Sequence, residues 1–324
     1  MSMFNGKSVL VTGGTGSFGK YFIKSLLKKY KPKKVIIFSR DEFKQHQLGE
    51  NPLFGKNCRF FIGDIRDLPR LKQAFSGVDI VIHAAALKQV TTLEYNPFEA
   101  IKTNIIGSQN VVEAAINQKV KKVLLISTDK AVHPINLYGA TKLCAEKLFI
   151  ASNSYSPNKT AFAVVRYGNI IGSRGSVVES LSDKNLKPLI TDINMTRFWI
   201  DLKQAGSLVE FAIENMEGGE IFVPKIPSIK IADLFDALRQ GETKEIIGIR
   251  PGEKIHEELI SLEEARHTIE LKNYYIILPE FNFWSGKNLF NKYKKMGKRV
   301  KYGFTYGSNT NSDWLLKKDL EKST

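Results

Sequence analysis

At 324 residues, 43% hydrophobic and 25% charged, the chain has the composition of a soluble globular protein with core enough for one large domain or two modest ones. No apolar run approaches the roughly 20 residues of a membrane helix, and the first strand begins too early for a signal peptide, so a cytoplasmic protein is expected. The net charge of +15 gathers in two lysine-rich stretches, 24–34 and 292–301, which lack the aromatic interleaving of a nucleic-acid platform and read as solvated surface.

Ser8 to Thr12 is an unbroken apolar run and predicts a buried strand. Gly13-Gly-Thr-Gly-Ser-Phe-Gly19 follows it, and a helical pattern runs from Lys20 to Lys29. Strand, glycine loop and helix in that order form a pyrophosphate cradle, with Gly13, Thr15, Gly16, Ser17, Phe18 and Gly19 against the cofactor. Lys34 to Ser39 is the second strand. Ser39-Arg40-Asp41 stands at its end, with Lys44 nearby. Arg40 offers a planar fork for a 2′-phosphate, which favours NADP, while Asp41 is the feature that points toward NAD.

Arg59 to Gly63 is a third strand, ending at Asp64 and Ile65, an acceptor and a packing surface for adenine. Asp67 to Phe75 reads as a short helix. Val78 to His83 is the fourth strand. Ala84, Ala85 and Ala86 then let a cofactor approach the backbone, and Lys88 lies beyond them. His83 reads as a packed, hydrogen-bonded strand residue. A helix is expected over Asn96 to Gln118. Val123 to Ile126 is the fifth strand, opening into Ser127-Thr128-Asp129-Lys130, and a helix is expected from about Gly139 to Asn153.

Tyr138 and Lys142 are four apart and share one helix face. An ammonium there is expected to lower the phenol from its reference of roughly 10 toward the working range of a base. Ala161 to Arg166 is a further strand, and the chain then leaves the sheet. Leu202 to Glu214 and Ile231 to Arg239 read as helices, Glu220 to Val223 and Tyr274 to Leu278 as strands, and Pro251 to Lys254 as a turn and helix start; a terminal helix of acidic and basic residues is expected after the polar segment Phe304 to Asn309. Cys58 and Cys144 make no disulfide framework and no metal-ligand spacing; both are expected to be inert core thiols. The alternation of strand and helix predicts an α/β fold, a Rossmann-type doubly wound parallel sheet. Residues 1–168 would form the NADP-binding domain, with later segments returning to it, and 169–324 mainly a smaller C-terminal substrate-binding lobe.

The glycine loop, Asp64, the alanine run and Tyr138-x-x-x-Lys142 together resemble the extended short-chain dehydrogenase/reductase superfamily. Ser127-Thr-Asp-Lys-Ala131, Asn136-Leu-Tyr-Gly-Ala-Thr-Lys142, Arg166-Tyr-Gly-Asn169, Met195-Thr-Arg-Phe-Trp199 and Arg250-Pro-Gly-Glu-Lys254 narrow the resemblance to the inverting UDP-N-acetylglucosamine 4,6-dehydratases. The loop after Lys88, Gln-Val-Thr-Thr, departs from the family's His-Val-Pro.

The resemblance implies an NADP-dependent hydro-lyase acting on a UDP-sugar, with inversion at C5, and a homo-oligomer of two to six copies. It implies Tyr138 with Lys142 as the base at the 4-hydroxyl, Lys130 as the base at C5 and Asp129 as the acid at the 6-hydroxyl. Thr128 or Ser127 would bond the 4-oxygen. Lys88, Asn169, Arg174, Gly175, Ser176, Val177, Thr191, Arg250, Glu253, Tyr306, Ser308 and Asn309 would contact the nucleotide sugar, the arginines through bidentate bonds to its diphosphate. A nucleotide-sugar 4-epimerase would need Tyr138 and Lys142 but not Asp129 and Lys130. A non-enzymatic NADP sensor or nucleic-acid binder would need neither pair.

Overall fold

Short uninterrupted aliphatic runs make strands that are covered on both faces. These are β1 (Ser8–Thr12), β2 (Lys34–Ser39), β4 (Ile80–His83), β5 (Lys122–Thr128) and β6 (Ala161–Tyr167), while β3 (Cys58–Ile62), at the sheet edge, carries Arg59 and is partly exposed. They lie parallel in the order β3-β2-β1-β4-β5-β6, and the order reverses between β1 and β4. In a doubly wound sheet a ligand binds outside the carboxyl ends at that reversal. The computed structural model describes residues 3–157, 159–172, 177–183, 185, 187, 189–281, 284 and 288–315. The expected terminal helix falls largely outside them.

The sheet continues past β6. β7 (Thr196–Ile200) belongs to a small separate sheet, but β8 (Ile221–Pro224) pairs parallel with β6. β9 (Thr268–Glu270), β10 (Tyr274–Ile277) and β11 (Lys298–Arg299) then extend the same sheet antiparallel, to ten strands. A cut at 168/169 would therefore run through one sheet. The lobe has its own apolar cluster, in which Leu181, Ile190, Met195, Trp199 and Phe235 are buried.

Helix α1 (Ser17–Lys29) buries Phe18, Phe22, Ile23 and Leu26 and ends in Lys28 and Lys29, the charges its C-terminal dipole favours. α2 (Glu42–Gly49) is capped by Asp41, whose side chain accepts from the Lys44 amide at 2.9 Å. The run expected as one helix over 96–118 is helical from Pro97 to Asn117, but residues 101–106 wind as a π-helix between the α-helical turn Pro97–Ala100 and α3 (Gly107–Asn117). The π-turn brings in Asn104, whose side chain accepts from the Leu87 amide and donates to the Leu87 carbonyl, both at 2.9 Å, and donates to Thr141 at 3.0 Å. Such turns recur where a helix must place a functional side chain.

α4 (Leu137–Ser152) is capped by Asn136, which accepts from the Gly139 amide at 2.8 Å. Below it, Arg166 of β6 forks onto Glu146 at 3.1 and 2.6 Å and onto Glu264 at 2.8 and 2.9 Å. This buried triad ties the helix, the sheet and the lobe together. α5 (Leu202–Asn215) carries a capping box, Asp201 with Gln204, and packs against α1.

Two expectations are corrected here. Pro251 to Lys254 forms a turn with no helix, because Gly252 adopts φ +76° and the Asn136 amide donates to its carbonyl at 2.7 Å. Cys144 is exposed and not a core thiol, since α4 turns Lys142, Ala145, Glu146 and Phe149 inward instead. Cys58 is half-buried, and burial pushes its thiol up to about 12. Among the described residues no helix is long and apolar enough to cross a membrane.

Candidate active site

The carboxyl ends of β1, β4, β5 and β6 open into one cleft of about 1360 Å³, closed on its far side by the lobe. Every predicted cofactor residue lines it, from Gly13 through Lys142. Gly13 has φ +67°, and a Cβ there would stand 2.9 Å from the Ala85 amide. A Cβ on Gly19 would stand 2.6 Å from the Gly14 Cα. The loop is thus pressed between the alanine run and its own helix, and the N-terminus of α1 faces the space left open, a ready anion site.

Thr12 accepts from the Ala84 and Ala85 amides, both at 3.2 Å, and bonds His83 at 2.7 Å. His83 also bonds Ser108 at 3.1 Å, and burial with Lys142 nearby pushes it down to about 3. It is a neutral strand residue, as expected. At the end of β2, Asp41 caps α2 and also pairs with the Lys44 ammonium. Arg40 lies 3.5 Å from Asp64, which Arg66 grips at 2.7 Å. Burial works against Asp64, but the Arg66 bonds hold it below the usual carboxylate range.

These residues fit a dinucleotide. The cradle has no room for side chains, and the buried hydroxyls of Ser127 and Thr103 line the cleft with no hydrogen-bond partner among the described residues. Buried polar atoms left so need a ligand or water.

A cluster of polar and charged side chains stands at the end of β5. Thr128 donates to Asp129 Oδ1 at 2.9 Å, and Lys130 Nζ donates to the same oxygen at 3.1 Å. Lys130 also reaches Asn169 at 3.4 Å and, across the cleft, Glu257 Oε1 at 3.1 Å. Asp129 is wholly buried and lies behind the cleft wall, while Lys130, Tyr138 and Glu257 line it. Full burial holds Asp129 above the usual carboxylate range despite Lys130 beside it. Burial alone would push Lys130 down, yet Asp129 and Glu257 hold it above the ordinary lysine range.

The expected lowering of Tyr138 is not found. Burial pushes its phenol up to about 12; Lys130 opposes this and Asp129 adds to it. Lys142 does not act as the phenol's cation here, because it donates to the Ile126 carbonyl at 2.7 Å and is itself pushed down to about 8 by burial.

Of the residues expected at the nucleotide sugar, Lys88, Asn169, Thr191, Arg250 and Glu253 line the cleft. Arg174, Gly175 and Ser176 lie outside the described residues; of Val177 only the backbone is described, at the start of a helix. Tyr306, Ser308 and Asn309 are not at the cleft. Tyr306 spends its hydroxyl on the Ile226 amide and carbonyl, both at 2.9 Å, Ser308 is buried against Thr196 at 2.7 Å, and Asn309 is exposed. The sequence reading missed Glu257 and Arg197, which enter from the lobe. Arg197 lies 3.6 Å from Glu253 and 4.0 Å from Glu257. Only the run Thr196-Arg-Phe-Trp-Ile200, apolar but for its arginine, hinted that a charge was being buried there.

A family model described as "Polysaccharide biosynthesis protein" matches residues 9–279. A UDP-N-acetylglucosamine 4,6-dehydratase (inverting) from Campylobacter jejuni subsp. jejuni serotype O:23/36 (strain 81-176) is 52% identical over 98% of this chain and 97% of its own. A UDP-glucose 4-epimerase from Rickettsia conorii (strain ATCC VR-613 / Malish 7) is 46% identical over 85% of this chain and 84% of its own. Among solved structures, Pen from Bacillus thuringiensis superimposes with a TM-score of 0.88 at 40% identity, covering 99% of this chain and 98% of that one. The fold recurs in a dTDP-glucose 4,6-dehydratase, DesIV from Streptomyces venezuelae, solved with NAD and TYD bound, with a TM-score of 0.68 at 21% identity over 76% of this chain and 86% of that one.

Proposed function

The chain belongs to the polysaccharide biosynthesis protein family, and from that membership we propose that it removes water from UDP-N-acetylglucosamine across C5 and C6, with oxidation at C4 and inversion at C5. The observation that carries this reading is the Asp129–Lys130 pair, 3.1 Å apart at the wall of a dinucleotide cleft and beside Tyr138.

Bound NADP supplies the acceptor for a hydride from C4 and its return to C6. The chain's own residues move the protons. Tyr138 takes the proton of the 4-hydroxyl, a task that asks for a phenol brought down from about 12 by the positive charge that an oxidised nicotinamide ring would place in the cleft. Elimination then needs a base at C5 and an acid at the 6-oxygen. One proton passed from Lys130 to Asp129 makes both at once, a neutral amine and a neutral carboxylic acid, with no exchange with solvent. The amine takes the C5 proton, the acid's proton reaches the departing hydroxyl through the Thr128 hydroxyl, which lines the cleft 2.9 Å from Asp129, and the ammonium–carboxylate pair is restored. Full burial of Asp129 favours the protonated form this requires. Inversion follows when C5 regains a proton on the face opposite the one it left, with the Tyr138 hydroxyl or the Lys130 ammonium as the donor.

NADP in place of NAD is supported by Asp41, whose carboxylate is spent on the α2 cap and on Lys44, leaving Arg40 at the ribose end of the cleft. A cytoplasmic homo-oligomer is part of the reading, supported by exposed apolar side chains along one helical run, Phe98 at 73% and Ile106 at 44%. The 46% identity to a 4-epimerase favours a second reading, epimerisation at C4. Incubation with UDP-N-acetylglucosamine and NADP in deuterated water, followed by NMR, separates them. Loss of water with deuterium at C5 and inverted configuration is expected. A C4 epimer that keeps its 6-hydroxyl would replace this reading with the second.

A further inference from the structure

Lys130 is held by a carboxylate that its own loop does not supply. Glu257 stands 127 positions later in the chain and enters the cleft from the lobe, where its Oε1 lies 3.1 Å from Lys130 Nζ. It is almost fully buried. Its backbone is clamped on both sides by one residue. The Glu257 amide donates to the Ser308 hydroxyl at 2.9 Å, and the Ser308 amide donates to the Glu257 carbonyl at 2.8 Å. Ser308 in turn bonds Thr196 of β7. A carboxylate so rigidly aimed at a lysine is more than packing.

We propose that Glu257 is the positioning residue of the C5 base: it fixes where the Lys130 amine stands and supplies the fixed negative charge against which Lys130 exchanges its proton with Asp129. This rests on the dehydratase reading for its meaning, though not for its test. The charges around the lysine explain the division of labour. Asp129 and Tyr138 face Lys130 from its own side, Glu257 and Arg197 face it from the lobe, and Lys88 approaches from the loop after β4. Asp129 has Lys130 as its cation. Glu257 has Lys130 and also Arg197 and Lys254, each 4.0 Å away. When the lysine gives up its proton, Glu257 keeps two cations and stays ionised, while Asp129 becomes the acid. The cluster carries the same total charge before and after. When the amine takes the C5 proton, its new charge forms against a counter-ion already in place, the condition under which electrostatics speed a reaction most. Burial works against ionised Glu257, but Lys130 and Arg197 hold it below the usual carboxylate range.

The test uses the full chain with NADP bound and three variants, Glu257→Gln, Glu257→Ala and Glu257→Asp. The first readout needs no substrate: the rate at which 1-fluoro-2,4-dinitrobenzene labels Lys130, followed by peptide mass spectrometry against pH. Removing the anion lowers the proton affinity of the lysine, so E257Q should label roughly tenfold faster at pH 8, its titration displaced down by about one unit, while E257D follows the parent. The second readout is dehydration of UDP-N-acetylglucosamine. The acid limb of kcat, which belongs to the Asp129–Lys130 pair as a whole, should move to lower pH in E257Q with KM within about twofold. E257A, which leaves the amine unheld, should lose roughly 10- to 100-fold in kcat at every pH. Superimposable labelling curves for the parent and E257Q would overturn the proposal, and so would an E257A enzyme with the parent's kcat. If E257Q fails to fold, E257D decides: a parental acid limb with lowered kcat supports the proposal, and a displaced limb overturns it. A parent enzyme that leaves the sugar intact would overturn the dehydratase reading, while the labelling curves would still judge Glu257.

Discussion

Lys142 donates to the Ile126 carbonyl at 2.7 Å, one turn of helix beyond Tyr138. The lysine is thereby a strut between α4 and β5 as well as a charge. Burial pushes it down to about 8, with Glu146 opposing. Between that value and its unfolded reference near 10.4, the unfolded chain holds one more proton than the native one, so this group's contribution to stability improves as pH rises through that window and is worst below it. Thermal melts of the parent against K142M should show a difference that shifts in favour of the parent between pH 8 and 10. The variant should also lose turnover.

Arg166 is another buried cation, and it is paired with two carboxylates. Removing one partner of such a cluster strands the other charges, so Arg166→Ala should destabilise the chain by roughly 3–5 kcal/mol in urea denaturation, chiefly through Glu146, which is as buried as the arginine. Arg166→Met with Glu146→Leu should recover much of that loss. A single variant with the parent's midpoint would show that the triad is not what joins α4 to the lobe.

Arg40 tests the cofactor. Arg40→Ala should weaken NADP by roughly 10- to 100-fold, the worth of a charge-assisted contact to a phosphate, and leave NAD nearly unchanged. Calorimetric titration of both nucleotides gives the ratio directly. Equal losses for the two would place the arginine elsewhere on the nucleotide.

Gly139 sits where the first turn of α4 crosses the Asp129–Lys130 loop. A Cβ there would lie 2.1 Å from the Lys130 carbonyl and 3.1 Å from Pro134. Because backbone must give way, Gly139→Ala should displace Lys130 and cost roughly 10²-fold or more in kcat, with overpacking of about 1–3 kcal/mol in stability. NADP affinity should fall far less, since the glycine cradle lies on other strands. Comparison of kcat with the dissociation constant checks this.

What could be read from the sequence was local. The glycine loop, the alanine run and the Asp129–Lys142 stretch each declare themselves within a few residues, because strand, turn and helix signals sit beside the polar groups that line the cleft. The parallel sheet followed from the same alternation. Glu257 had no such signal: its partner Lys130 is remote in the chain, and only the folded lobe brings them together. The π-turn at 101–106 was hidden because its residues keep a helical pattern while the backbone widens around Asn104. Tyr306 and Ser308 were placed at the sugar on resemblance, and the fold uses them instead to hold Ile226 and Glu257. The Tyr138 phenol stays high because spacing sets which face Lys142 shares and not where its amine points, and that amine turns to the Ile126 carbonyl.

The four strands that the second half of the chain lends to the first have a consequence for anyone who would dissect the molecule. A chain shortened to end after β6 would present that strand's unpaired edge to water, an invitation to stick to other copies. Chimeras that exchange only the lobe between relatives would tear the scaffold that they mean to keep. Substrate preference in this architecture is therefore better re-engineered by changing individual side chains than by swapping modules.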